Sequence, residues 1–159
     1  MRIYVSDDTI GVELGGILKN VIAIAAGIAD GLDLGDSARA GLISRGLAEM
    51  LRLSEKLGAK RETLFGLSGL GDLVMTATCD TSRNRTFGRK LGEGKSLEVA
   101  LKEINSEVEG ATTTSTVKEL AKENNVEMPI SSAVYEVING ANPKDVLLKL
   151  MDRPIKQEF

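Results

Sequence analysis

Lys19 is the residue of this sequence whose surroundings suit it least. It stands beside Asn20 within residues 8–31, DTIGVELGGILKNVIAIAAGIADG, a nearly unbroken apolar stretch in which it is the one cation. At helical spacing its neighbours one turn away are Gly15, Gly16, Ile22 and Ala23, so no carboxylate on its own helix can pair with it. A lysine left unpaired in an apolar wall is costly. The side chain must snorkel to solvent, meet a carboxylate from another segment, or face a cleft that takes an anion or a reacting oxygen. Spacing alone leaves the structural and functional outcomes open.

Asp72, Thr76, Arg83, Asn84 and Glu109 extend the set of separated polar residues, each beside glycine or at a helix end. Asp72 leaves the glycine-rich stretch GLSGLG and serves equally as an N-cap for LVMTAT. Arg83 and Asn84 fall in the first turn of SRNRTFGRKLGEG, which Ser82 opens. Cations there oppose the helix macrodipole, and an arriving anion would relieve them. A surface carboxylate would do the same for Arg83, and Glu109 also reads as a solvated charge in the linker NSEVEG. Convergence of these residues would favour function, and spacing does not show it.

Two glycine motifs carry less. GLSGLG has the order G-x-x-G-x-G and follows a helical segment rather than a strand, which does not fit a dinucleotide loop. GEGKS resembles the end of a phosphate-binding loop, but Arg89 occupies the place of its first glycine, so it reads as a helix stop followed by a Ser96 cap. With no His and only Cys79, a zinc site built from this chain and a Ser-His triad are excluded on composition, and no metal is expected.

These residues need helices to position them. The chain has 159 residues, enough for one domain with a real core, and its lack of Trp and three Phe leave that core to Leu, Ile, Val, Ala and Met. Residues 2–5 alternate as a short strand with no sheet partner nearby. Asp7, Asp8 and Thr9 then offer caps for a helix running to about Asp30. Gly11, Gly15, Gly16 and Gly27 weaken it by roughly 1 kcal/mol each, so they call for close approach of another backbone or a ligand. Asp36 or Ser37 caps a second helix that Gly58 stops; a turn follows at Arg61–Phe65, then the glycine-rich corner, the Ser82 helix, and helices at 96–104, 112–123, 130–139 and Pro143–Met151. The pattern predicts an all-α chain of about seven helices, without internal repeats.

The net charge of -3, with signs interspersed, offers no field for nucleic acid or an anionic membrane. One cysteine admits no intrachain disulfide and suits the cytoplasm, no apolar leader opens the chain, and the apolar run after Asn20 falls short of a bilayer span. The expectation is a soluble protein without membrane insertion.

GVELGGILKNVIAIAAGIADGL, GLSGLGDLVMT, SRNR, GKSLEVAL, VEG and VEMPI, in this order, closely resemble the carboxy-terminal domain of bacterial NAD(P)-dependent sn-glycerol-3-phosphate dehydrogenases. The resemblance covers essentially the whole chain. It implies that residues 1–159 are one helical substrate-binding domain, of the type shared with 6-phosphogluconate dehydrogenase relatives, with residues 2–5 as a strand remnant joining it to an amino-terminal Rossmann domain. By the family pattern Lys19 matches the catalytic lysine, which exchanges a proton with the C2 oxygen while hydride passes between nicotinamide and C2. Asn20, Asp72, Ser82, Arg83 and Asn84 match substrate-binding positions, with Asp72 orienting Lys19, and Thr76 matches a substrate contact in eukaryotic relatives. Arg83 also matches a cofactor contact and Glu109 one at the nicotinamide end; Glu107 stands where the pattern varies. The implied ligands are dihydroxyacetone phosphate or glycerol 3-phosphate and NAD or NADP, in the supply of glycerophospholipid precursors.

The 159 residues contain no Rossmann fingerprint, so the chain by itself is expected to be inert and to need an amino-terminal partner domain. Two other readings are weighed: a dehydrogenase with a similar helical domain acting on a hydroxy acid or sugar acid, and an assembly module that only forms a homodimer. The SRNR segment favours a phosphorylated substrate over the first, and sedimentation discriminates the second.

Overall fold

The computed structural model describes residues 3–154. Asp8 starts the organising helix, its carboxylate taking the N–H of Gly11 at 2.9 Å and that of Lys60 at 2.8 Å. One buried side chain thus caps helix α1 (Thr9–Gly31) and ties it to the segment before α3 (Arg61–Phe65). Residues 3–5 are exposed and take no regular structure, which corrects the expected strand at 2–5; Arg2 lies outside the described residues. A strand needs a neighbouring ladder, and no extended segment pairs with it among the described residues.

Helix α2 (Gly35–Lys56) begins a turn earlier than the expected caps at Asp36 or Ser37. Gly35, at φ +80°, turns the chain directly out of α1, and Asp36 instead falls in the first turn, where its charge suits the macrodipole and pairs with Arg39. The glycine-rich corner is a π-helical turn, Leu67–Gly71, closed by Gly71 N–H to Gly66 C=O at 3.1 Å, and it runs straight into α4 (Asp72–Thr78). Then follow α5 (Arg83–Gly92), α6 (Leu97–Ile104), α7 (Glu109–Glu123), α8 (Pro129–Ile138) and α9 (Pro143–Met151), capped by Ser82, Ser96 and, for the last, Asn142. With nine α-helices and the π turn among the described residues, the all-α reading holds and the count of about seven was low, because it left out the short α3, expected only as a turn, and α4.

Helix α1 passes through the middle and packs on α5, α2, α4, α7 and α8. Its tightest seam is with α5: a Cβ at Gly27, Gly31, Gly88 or Gly92 would collide with backbone of the facing helix. Leu18, Ile22, Ile24, Met50, Leu53, Leu64, Leu73, Phe87, Val117 and Val134 fill the fully buried core around it. Taken whole, α1 is long and apolar enough to cross a membrane, which the run after Asn20 alone is not, but 67% of its most apolar window is buried inside the fold. It is a core helix here.

Helix α8 has no side-chain cap of its own. Glu49 of α2 supplies one, its carboxylate taking the N–H of Ile130 at 2.6 Å and of Ser131 at 3.1 Å, and the Ser131 hydroxyl at 2.9 Å. Burial pushes the Glu49 carboxyl above its usual range, against the pull of those three donors.

Candidate functional site

The π turn brings Asp72 to Lys19. Gly15, one turn before Lys19, lies under the backbone of Ser68, where any side chain would collide, while Gly16 meets nothing within 4 Å. Of the two glycines placed where room matters, one admits the π turn and the other leaves open space. Asp72, 53 residues along the chain, then forms a short ion pair with the Lys19 ammonium. Of the outcomes open to Lys19, the structure takes the carboxylate from another segment. Thr76, one turn on in α4, donates its hydroxyl to Asp72 C=O at 2.7 Å, with the Asp72 carboxylate at 3.4 Å.

Asn20 and Asn84 knit three helices. The Asn84 amide donates to Asn20 Oδ1 at 2.9 Å, and Asn84 Oδ1 accepts the Gly110 N–H at 3.0 Å. Asn20 Nδ2 donates to Gly16 C=O at 3.2 Å and to Glu109 Oε2 at 3.1 Å. This is why α7 starts at Glu109 rather than at the expected 112: Asn84 takes the N–H of Gly110, and a Cβ there would strike the Asn84 side chain. Both amides are buried and bonded to protein.

Between these groups opens a polar cleft of about 320 Å³, lined by Lys19, Asn20, Thr76, Ser82, Arg83, Asn84, Glu107 and Glu109, with Met75, Cys79 and Thr81. Asp72 stands behind Lys19. The residues singled out in the sequence thus come together at one place. Arg83, Glu107 and Glu109 lie at its exposed rim, and the Arg83 guanidinium has no hydrogen-bond or ion-pair partner among the described residues. Ser82, itself in the cleft wall, caps α5 by accepting the Arg85 N–H at 3.3 Å.

Met75, Cys79 and Thr81 were missed. Asp72, Met75, Thr76 and Cys79 share one face of α4 and its end at i, i+3, i+4 and i+7, a spacing that would have found them once Asp72 was chosen. The Thr81 hydroxyl, 3.0 Å from the Cys79 sulfur, holds that thiol below its usual range. Among the described residues no three His, Cys, Asp or Glu side chains stand together as a metal site.

The arrangement offers an amine held by a carboxylate, an unpaired guanidinium at a helix N-terminus, and a hydrogen-bonded amide network. It suits a small anionic substrate with an oxygen to protonate.

Comparison with known proteins shows the family of the chain. The family model described as NAD-dependent glycerol-3-phosphate dehydrogenase C-terminus matches residues 8–149. Glycerol-3-phosphate dehydrogenase [NAD(P)+] of Staphylococcus saprophyticus is 54% identical over 159 residues, covering 99% of this chain and 48% of that protein. The enzyme of Trichlorobacter lovleyi is 54% identical over 158 residues, covering 99% and 47%. A crystal structure of glycerol-3-phosphate dehydrogenase from Coxiella burnetii superposes with a TM-score of 0.92 at 48% identity, over 96% of this chain and 47% of that one. The chain spans about half the length of the relatives it matches. The match runs from the cap of α1 through every wall of the cleft into α9, and on that evidence this chain belongs to the family of the NAD-dependent glycerol-3-phosphate dehydrogenase C-terminus.

Proposed function

We propose that this chain is the substrate-binding and proton-transferring part of an NAD(P)-dependent glycerol-3-phosphate dehydrogenase, interconverting dihydroxyacetone phosphate and sn-glycerol 3-phosphate in the cytoplasm for glycerophospholipid precursors. The observation that carries it is the Lys19–Asp72 pair in the wall of a cleft whose mouth presents an unpaired Arg83. The cleft is the size of a triose phosphate with the end of a larger ligand, not of a whole dinucleotide. The nicotinamide cofactor supplies the hydride that C2 gains or loses. An amino-terminal domain of the longer relatives would carry most of that cofactor, with Arg83, Glu107 and Glu109 at its nicotinamide side.

Within this chain, Lys19 Nζ donates a proton to the C2 oxygen as dihydroxyacetone phosphate is reduced and takes it back as glycerol 3-phosphate is oxidised. Asp72 aims the ammonium, and Thr76 aims Asp72. Arg83, Ser82 and the first amides of α5 receive the phosphate. Asn20 and Asn84 hold the walls at fixed spacing while contacting the substrate hydroxyls.

The test is Lys19→Met in the full-length enzyme. Loss of the acid/base should lower kcat by at least about 1000-fold, with KM for the triose phosphate changed far less. An unchanged kcat refutes the role. The 159-residue chain alone should neither reduce dihydroxyacetone phosphate nor oxidise glycerol 3-phosphate. If it sediments as a homodimer and calorimetry detects no glycerol 3-phosphate binding, the assembly-module reading replaces this one.

A further inference from the structure

Three of the cleft residues, Cys79, Thr81 and Ser82, sit in one short turn between α4 and α5, and Arg83 follows immediately. Such a turn has little to hold it. Asp80 is almost fully exposed and Thr81 is exposed. Its backbone bonds are local: Cys79 N–H to Met75 C=O at 2.9 Å, Ser82 N–H to Cys79 C=O at 3.2 Å, and Thr86 N–H to Ser82 C=O at 2.9 Å. A turn tied only to itself would leave the approach to Ser82 loose, although Arg83 and Asn84 already belong to α5.

Arg85 removes that freedom. Its Nη1 donates to Thr78 C=O at 3.1 Å, where α4 ends, and to the Asp80 carboxylate at 2.6 Å, inside the turn. Its Nε donates to Asp30 at 2.7 Å, near the end of α1. Asp30 is in turn held by Arg39 of α2, Nη1 to Oδ1 at 2.7 Å. The Arg85 and Asp30 side chains are only 13% and 11% exposed, so the link is shielded from solvent as the surface pair to Asp80 alone would not be. Gly27 makes the reach feasible: its bare Cα lets the Arg85 backbone lie against α1, one turn before Asp30. Among the described residues this guanidinium is the hydrogen-bonded link between the turn and the core helix.

We propose that Arg85 is a positioning residue for the phosphate end of the substrate. By clamping Thr78 and Asp80 to Asp30 it fixes the turn that presents Ser82 and Arg83. The inference rests on the reading of Arg83 as the phosphate ligand given above. A planar fork with separate donors spans the three acceptors, and a lysine ammonium cannot reach all three.

Steady-state kinetics of the full-length enzyme test it. Arg85→Met should raise KM for dihydroxyacetone phosphate about 30-fold and KM for the nicotinamide cofactor by clearly less, because Ser82 and Arg83 together meet the phosphate while Arg83 alone of the two reaches the cofactor. Arg85→Lys should fail to restore that KM. A lowered melting temperature with KM for dihydroxyacetone phosphate unchanged overturns the proposal and leaves Arg85 a structural brace. Should Arg85→Met not fold, Asp80→Ala, at an exposed position, decides: an increase of about threefold in the same KM supports the clamp, and no increase overturns it. Arg83→Ala separates the two levels. If it leaves KM for dihydroxyacetone phosphate unchanged, the phosphate reading itself falls; if it raises KM while Arg85→Met does not, only the positioning role falls.

Discussion

Helix α1 lives in two environments. Up to Asn20 it borders a polar cleft, and its functional side chains bond to partners 53 and 89 residues away. Beyond Asn20 it lies backbone to backbone against α5, with Gly27 against Arg85, Gly31 against Arg89 and Gly92, and Gly88 against Ile24. The first half makes few but directional contacts and leaves Gly16 facing open space. The second is a dry seam where a single methyl group has no room. Close packing on α5 thus anchors the second half of the helix, and Lys19 and Asn20, at its middle, are held beside a cavity that packing does not fill.

The comparison breaks most easily at the seam. Gly88→Val should cost about 3 kcal/mol in urea unfolding, since its side chain would drive into the backbone of Ile24. A cost below about 1 kcal/mol would mean that the helices separate freely and that the seam is not what anchors α1. The same helix offers the opposite test at its open end. Gly16→Ala should stabilise the fold by about 0.5–1 kcal/mol, the ordinary gain of alanine in a helix where nothing stands in the way. A loss of stability there would show that the cleft end is packed after all.

A smaller effect sharpens the contrast by pH. At the outer end of α5, Glu103 of α6 bonds Lys90 and Lys95, which hold its carboxyl down at about 2, from an ordinary 4.5. A depressed carboxyl contributes stability that is present above its unfolded value and lost as pH falls towards the folded one. The gap in urea midpoint between the parent and Glu103→Gln should therefore be open at pH 6 and close progressively below about pH 4.5. These groups are solvent-exposed, so the gap is small and shrinks in high salt; a gap that widens on acidification contradicts the assignment.

Much of this was legible in the chain order. Ser82, Ser96 and Asn142 cap the helices expected of them, and Arg61–Phe65 and Pro143–Met151 match their expected bounds, because capping and periodicity act within about one helical turn. Lys19 declared itself by having no partner in reach on its own helix. The misreadings have one physical origin. Residues 3–5 carry β-forming side chains but find no ladder, α2 and α7 start where a positive-φ glycine and a distant asparagine put them, and the cap of α8 comes from Glu49, 81 residues away from Ile130.

The sequence by itself determined that this chain is helical and where most helices start and stop, and it marked Lys19, Asn20, Asp72, Arg83 and Asn84 as candidates whose roles came from the resemblance and not from spacing. It flagged Gly27 as calling for a close neighbour, and the structure supplied that neighbour in the backbone of α5. Only the tertiary structure decided that Asp72 relieves Lys19, that the asparagine amides are bonded to protein and that Arg85 ties the ligand turn to Asp30. Propensities and caps are local energies, written within a few residues. Pairing across 53 or 55 residues depends on how whole helices pack, and no pattern along the chain encodes that geometry one residue at a time.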